Sequence, residues 1–292
     1  MDIQQKWRTT VDRLRFVYGP SAANLIVSIS ALPARLRLFR AGPISILVDN
    51  TVLFHAVTHE TAWVSTGKSK WGPHDIDTGY AARIPVRHKD SDSRDYRNIK
   101  YLPGIAHLAR MGQISLKTAG ELALERFKQP VGRFHGYGMF DHNLFSDIDM
   151  APLDGMPDMV MSPKWMNLPS IEEQQHERLA NSSDSLFRGL VKLLGPKNNQ
   201  DAWHIRTAEV HGMFCFLTMD FKLCNNFNGR LEQEPIKSLR TKVMTPAQLG
   251  RYLRIFPVDP NLLSYTAASF PVRPDLHWPD EKRHGPTRNR SR

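Results

Sequence analysis

The chain has 292 residues and carries 39 Lys and Arg against 29 Asp and Glu, a net charge of +10. Its 41% of hydrophobic residues exclude an intrinsically disordered chain and suffice for one large domain or two small ones. The basic balance points to an anionic partner, nucleic acid first and an anionic membrane second. The only cysteines are Cys215 and Cys224, which excludes a disulfide framework and a CxxC metal pair, and predicts a reducing cytoplasm.

Residues 1–43 read as one or two basic helices. Trp7, Val11, Leu14 and Tyr18 recur at helical spacing, and Gly19-Pro20, Pro33 and Gly42-Pro43 are breaks. The longest apolar patch, Ser21–Pro33, falls short of the ~20 residues of a membrane helix, so no membrane partner is expected. "ISILV" (Ile44–Val48) is a continuous apolar run, as in a strand buried on both faces of a parallel sheet. Asp49 follows at once, and "NTVLFHAV" reads as a helix. The polar stretch 65–100 reads as a long loop or insertion.

"LPGIAHLARMG" predicts a helix closed by Gly112, "QISLKT" a second strand, and "AGELALERFKQ" a helix. Residues 129–170 read as a second irregular insertion. "SSDSLFRGLVKLLG" has the Ser/Asp start and Gly stop of a helix. "DAWHIRTAEVHG" places Ala202, Ile205 and Ala208 on one helical face, "MFCFLT" reads as a buried strand, and "KVM" as a short one. Thr245 and Pro246 then start a last helix. Residues 257–292 read as a Pro-rich basic tail. Strands alternating with helices predict an α/β fold with a parallel sheet.

Three acids sit at informative places. Asp49 and Asp220 follow apolar strands, and Asp201 opens a helix. Each has an ordinary reading: an acid in the first helical turn caps free amides, and an Asp after a strand makes a turn. In open α/β sheets, however, ligands bind beyond the carboxyl ends of the strands. If the three converge there, their repulsion calls for a hard divalent cation such as Mg²⁺ or Mn²⁺, which prefers oxygen ligands.

"ILVDNTVLF", then "DAWHIRTAEVHGMFCFLTMDFKL" and "KVMTPAQLGRYL", resemble the PIN-domain nucleases, across residues 44–256 with insertions near 65–100 and 129–170. The resemblance implies a parallel sheet of about five strands flanked by helices, and a metal-dependent endoribonuclease that cuts RNA with Mg²⁺ or Mn²⁺ held by Asp49, Glu125, Asp201 and Asp220. Glu125, seven residues after Thr118, is preferred as the helix acid; Glu121 is the alternative and Asp184 an auxiliary acid. Thr218 matches a small hydroxyl position beside the metal or its water, and Arg206 and His204 are candidate substrate contacts. PIN enzymes are often toxins, so an antitoxin protein and a second copy of the chain are further expected partners. The chain departs from the pattern with Asp-Asn-Thr at 49–51 and with Arg206 where a small residue is usual.

Other motifs carry less. "TGKS" (Thr66–Ser69) lacks the earlier glycine and the preceding strand of a phosphate loop. His55 and His59, with Glu60, are not the H-E-x-x-H of a zinc protease.

Overall fold

The computed structural model describes residues 3–89, 91–128, 141–161 and 164–277. Its centre is a four-stranded, all-parallel sheet of β1 (Ile44–Val48), β4 (Ile114–Lys117), β6 (Cys215–Leu217) and β7 (Lys242–Met244), in the spatial order β4-β1-β6-β7. The expected sheet of about five strands is therefore a sheet of four.

The strands are apolar on both faces because helices cover both. Ile46, Val48, Ile114, Leu116, Cys215 and Leu217 face one layer. That layer contains α1 (Ile3–Ala41), α2 (Asn50–His55), α4 (Leu102–Arg110) and α10 (Pro246–Leu253). Leu47, Phe216 and Val243 face the other, built from α5 (Gly120–Lys128), α7 (Ser185–Leu194), α8 (Asn199–Val210) and α9 (Phe221–Asn228). The helix ends follow their sequence signals. Gly112 and Gly195 adopt positive φ after α4 and α7. Asp184 caps α7, and Thr245 and Gln248 form a capping box on α10. Ala202, Ile205 and Ala208 are fully buried, so the small residues of α8 let it lie close on the sheet.

Several elements differ from expectation. Residues 3–41 form one helix that runs through Pro20 and Pro33. Each proline removes a backbone hydrogen bond and strains the preceding turn, at about 3 kcal/mol. A buried stripe of Ala23, Val27, Ala31, Ala34 and Leu38 packed in the core offsets that cost. Within it, Thr10–Ala41 is long and apolar enough to cross a membrane by length and composition, a third of its most apolar window being buried in the protein. The patch Ser21–Pro33, read as too short, is thus only part of a longer apolar helix.

The stretch 65–100 is not a loop. β2 (Val57–Trp71) and β3 (His74–Pro85) form a long antiparallel hairpin around Gly72-Pro73, followed by α3 (Arg94–Ile99). β2 also pairs with the short β5 (His142–Asn143), giving a second sheet. The outer half of the hairpin is solvated on both faces, so it shows no apolar alternation. Cross-strand neighbours such as Lys68 and Asp77, Lys70 and Asp75 hold it instead. Of the second expected insertion, residues 141–161 hold β5 and irregular chain; 129–140 and 162–163 lie outside the described residues. The helix α6 (Ile171–Ala180), opened by a Ser170–Glu173 capping box, is not expected from the sequence, nor is α9. The tail packs as far as it is described: Val258 and Leu263 join the core, and Val272 bridges to Arg83. Residues 278–292 lie outside the described residues.

Candidate active site

The chain runs from β1 outward to β4, then returns to β6 on the other side of β1. The order therefore reverses between β1 and β6, and a crevice opens beyond the carboxyl ends of strands at such a point. Asp49 follows β1 and Asp220 follows β6 closely, so both stand at this reversal. α5 and α8 add Glu125 and Asp201. A cleft of about 280 Å³ is lined by Asp49, Glu125, Asp201 and Asp220, with Asn50, His55, Gln200 and His204 among the rest.

Asp49 is the most constrained acid. It is buried, and one carboxylate oxygen accepts hydrogen bonds from the hydroxyls of Thr51 and Thr218, each at 2.5 Å. Thr218 in turn accepts from the backbone N–H of Asp220 at 2.9 Å. One hydroxyl thus ties the two strand-end acids together. Burial raises the pKa of Asp49 above the usual carboxylate range; the two threonine hydroxyls and His204 oppose this, and Glu125 adds to it.

Asp201 lies in the first turn of α8 without being its cap, which is Asn198. Its pKa is pushed up to about 7, first by burial and then by Asp49, Asp220 and Glu125, against the pull of His204. Asp220 does cap a helix: it accepts from the amides of Lys222 and Leu223 at the start of α9. The ordinary reading of this aspartate is therefore real and coexists with its place in the cleft.

Glu125 accepts from His204 Nε2 at 3.0 Å and from Asn50 Nδ2 at 3.2 Å. Burial pushes His204 down, but Glu125, Asp49 and Asp201 together lift its pKa above the ordinary value. Glu121 lies elsewhere: it is buried against Gln175 and Arg178 and does not line the cleft. Asp184 and Arg206 are also outside it. They pair with each other at 2.7 Å, and Arg206 stacks on Trp203. Thr218 is wholly buried and reaches the site only through Asp49 and Asp220. His55, expected only on a helix, lies at the cleft; burial and Arg87 hold its pKa down at about 4, so it is neutral.

Asn50, Thr51 and Gln200 were not foreseen as site residues. Their only sequence signal is adjacency to Asp49 and Asp201.

Comparison of the chain with protein-family profiles, characterised proteins and solved structures finds no significant match.

The donor set suits a hard cation. The acids that line the cleft are all carboxylates, and the buried Oδ1 of Asn50, at the same cleft, has no hydrogen-bond partner. Among the described residues, no three His, Cys, Asp or Glu side chains form a ready-made metal cage.

Proposed function

We propose that this protein is a metal-dependent nuclease of PIN type that hydrolyses RNA phosphodiester bonds in the cleft between β1 and β6. The observation that carries the reading is the meeting of Asp49, Glu125, Asp201 and Asp220, from four separate elements, at one cleft on the strand-order reversal. The pKa values of Asp49 and Asp201, raised first by burial and further by neighbouring acids, support reading the same place as a functional site. RNA as substrate rests on the net charge of +10 and on the resemblance of the three sequence blocks.

Mg²⁺ or Mn²⁺, when bound, supplies positive charge that polarises a phosphate and acidifies a water. The chain's own residues prepare the place. Thr51 and Thr218 fix the Asp49 carboxylate, and His204 and Asn50 fix Glu125. The amides of α9 orient Asp220. The acids then present oxygens to the attacking water on fixed elements, and the cleft leaves room for a phosphodiester.

The test is cleavage of defined RNAs by the purified protein with Mn²⁺, Mg²⁺ or EDTA, beside Asp49→Asn and Asp220→Asn. Asn preserves the helix cap at 220. Metal-dependent cleavage that both substitutions abolish supports the nuclease. RNA binding without cleavage under any metal favours a non-catalytic binding module.

A further inference from the structure

α1 is apolar on two opposite faces. One face, with Ala23, Val27, Ala31, Ala34 and Leu38, lies in the core. The other repeats at intervals of three, four and seven: Tyr18, Leu25, Ile29, Leu32, Leu36 and Phe39. At 100° per residue this second stripe points away from the first. All six side chains are exposed, Leu25 at 61% and Phe39 at 86%. A row of large apolar groups on one helix marks an interaction surface rather than scattered surface hydrophobics.

The charge on the same helix identifies the occupant. Residues 16–34 carry no charge at all. Arg13 and Arg15 flank them on one side, and Arg35, Arg37 and Arg40 on the other, with Asp12 the single acid between 10 and 41. Arg15 and Arg40 fall on the apolar stripe's own side of the helix by the same angular count. A second copy of α1 would bring arginine clusters together whether it ran parallel or antiparallel. A helix with an apolar stripe and basic ends suits a surface with an apolar interior and negative headgroups. Crossing a bilayer would strip the core-facing stripe from α4 and α10, so the helix lies on the surface.

We propose that the exposed face of α1 docks the protein on an anionic lipid bilayer, with Leu25, Ile29, Leu32, Leu36 and Phe39 in the acyl boundary and Arg15 and Arg40 among the headgroups. None of the residues lining the acidic cleft comes from α1, so docking leaves the cleft open. The inference is independent of the nuclease reading.

The experiment is flotation of the full chain with phosphatidylcholine vesicles and with vesicles that also contain phosphatidylglycerol, beside a Leu25→Gln/Ile29→Gln/Leu36→Gln variant and Arg40→Glu. Thermal unfolding of the variants checks that they remain folded, as exposed positions should. The wild type is expected to float with the anionic vesicles only, and to leave them in high salt or alkaline carbonate. The triple variant loses flotation at least tenfold, and Arg40→Glu, a change of two charges, weakens binding about thirtyfold, about fivefold for each charge near such a surface. Absence of flotation with either vesicle overturns the proposal. So does a dimer in sedimentation that the triple variant dissociates without any vesicle binding, since the occupant is then a second copy. Retention after carbonate also overturns it, because α1 has then entered the bilayer.

Discussion

The hydroxyl of Thr218, at the end of β6, lies 2.5 Å from a carboxylate oxygen of Asp49, just past the end of β1, across 169 residues of sequence. The same hydroxyl accepts the amide of Asp220. Thr218 is buried completely and makes no part of the cleft wall, so it acts by positioning. Thr218→Val keeps the shape and removes the hydroxyl. Asp49 then loses a hydrogen bond that holds its pKa down. Mn²⁺ affinity, read by calorimetry near neutral pH, should fall about tenfold, as for other residues that orient a metal ligand. Unchanged affinity would remove Thr218 from the site.

Asp201 makes stability depend on pH in an unusual direction. Its pKa is about 7 in the fold against an ordinary 3.8. Between those values the folded state holds a proton that the unfolded state has released. Stability from this group is therefore complete below its ordinary pKa and is lost as pH rises toward 7. With divalent cations chelated, this group by itself should lower melting by several degrees between about pH 5 and about pH 8, each pKa unit being worth about 1.4 kcal/mol before solvent screening, while the buried neutral His55, His59 and His142 act in the opposite direction. Asp201→Asn should flatten much of this slope, and added Mn²⁺ should restore stability at the higher pH. A slope unaltered in the variant would assign it to other groups.

Glu121 and Glu125 stand one helical turn apart on α5 and should fail in opposite ways. Glu121 is buried against Arg178 and Gln175. Glu121→Ala leaves those partners unpaired and should cost about 2 kcal/mol in urea unfolding, with cleavage retained by the folded fraction. Glu125→Gln should leave stability nearly unchanged and remove cleavage. The reverse pattern would exchange the two acids' roles.

Gly104 on α4 meets the side chain of Ile255, and an added Cβ would collide with its Cγ2. Gly104→Val should destabilise the protein by about 1–3 kcal/mol through overpacking, measured as a lower urea midpoint with an unchanged slope. The cleft lies beyond the carboxyl ends of β1 and β6 and not at this contact, so the metal binding proposed there should persist in the folded protein.

The four parallel strands were legible because strands buried on both faces must be continuously apolar: Ile44–Val48 and the run around Cys215–Leu217 announce themselves without any partner. Helix starts and stops were legible where local chemistry decides them, at Asp184, Thr245 and Gly195. The hairpin 57–85 was not. Its outer strands are wet on both sides, and what holds them is pairing between residues that sequence order does not juxtapose. Gly19-Pro20 and Pro33 read as breaks because local propensity says so; a buried stripe on α1 overrode it.

At the site, the sequence by itself determined the residue types: carboxylates after two buried strands and near the starts of helices, in a basic chain with too few cysteines for sulfur chemistry. Tertiary structure decided their company. Strand order brought Asp49 beside Asp220, position along α5 put Glu125 at the cleft and Glu121, one turn earlier, against Arg178, and the salt link to Asp184 took Arg206 away. The physical reason is the same in each case. A side chain's type is carried locally, but its neighbours and its exposure, and with them its pKa, depend on which elements pack across the sheet.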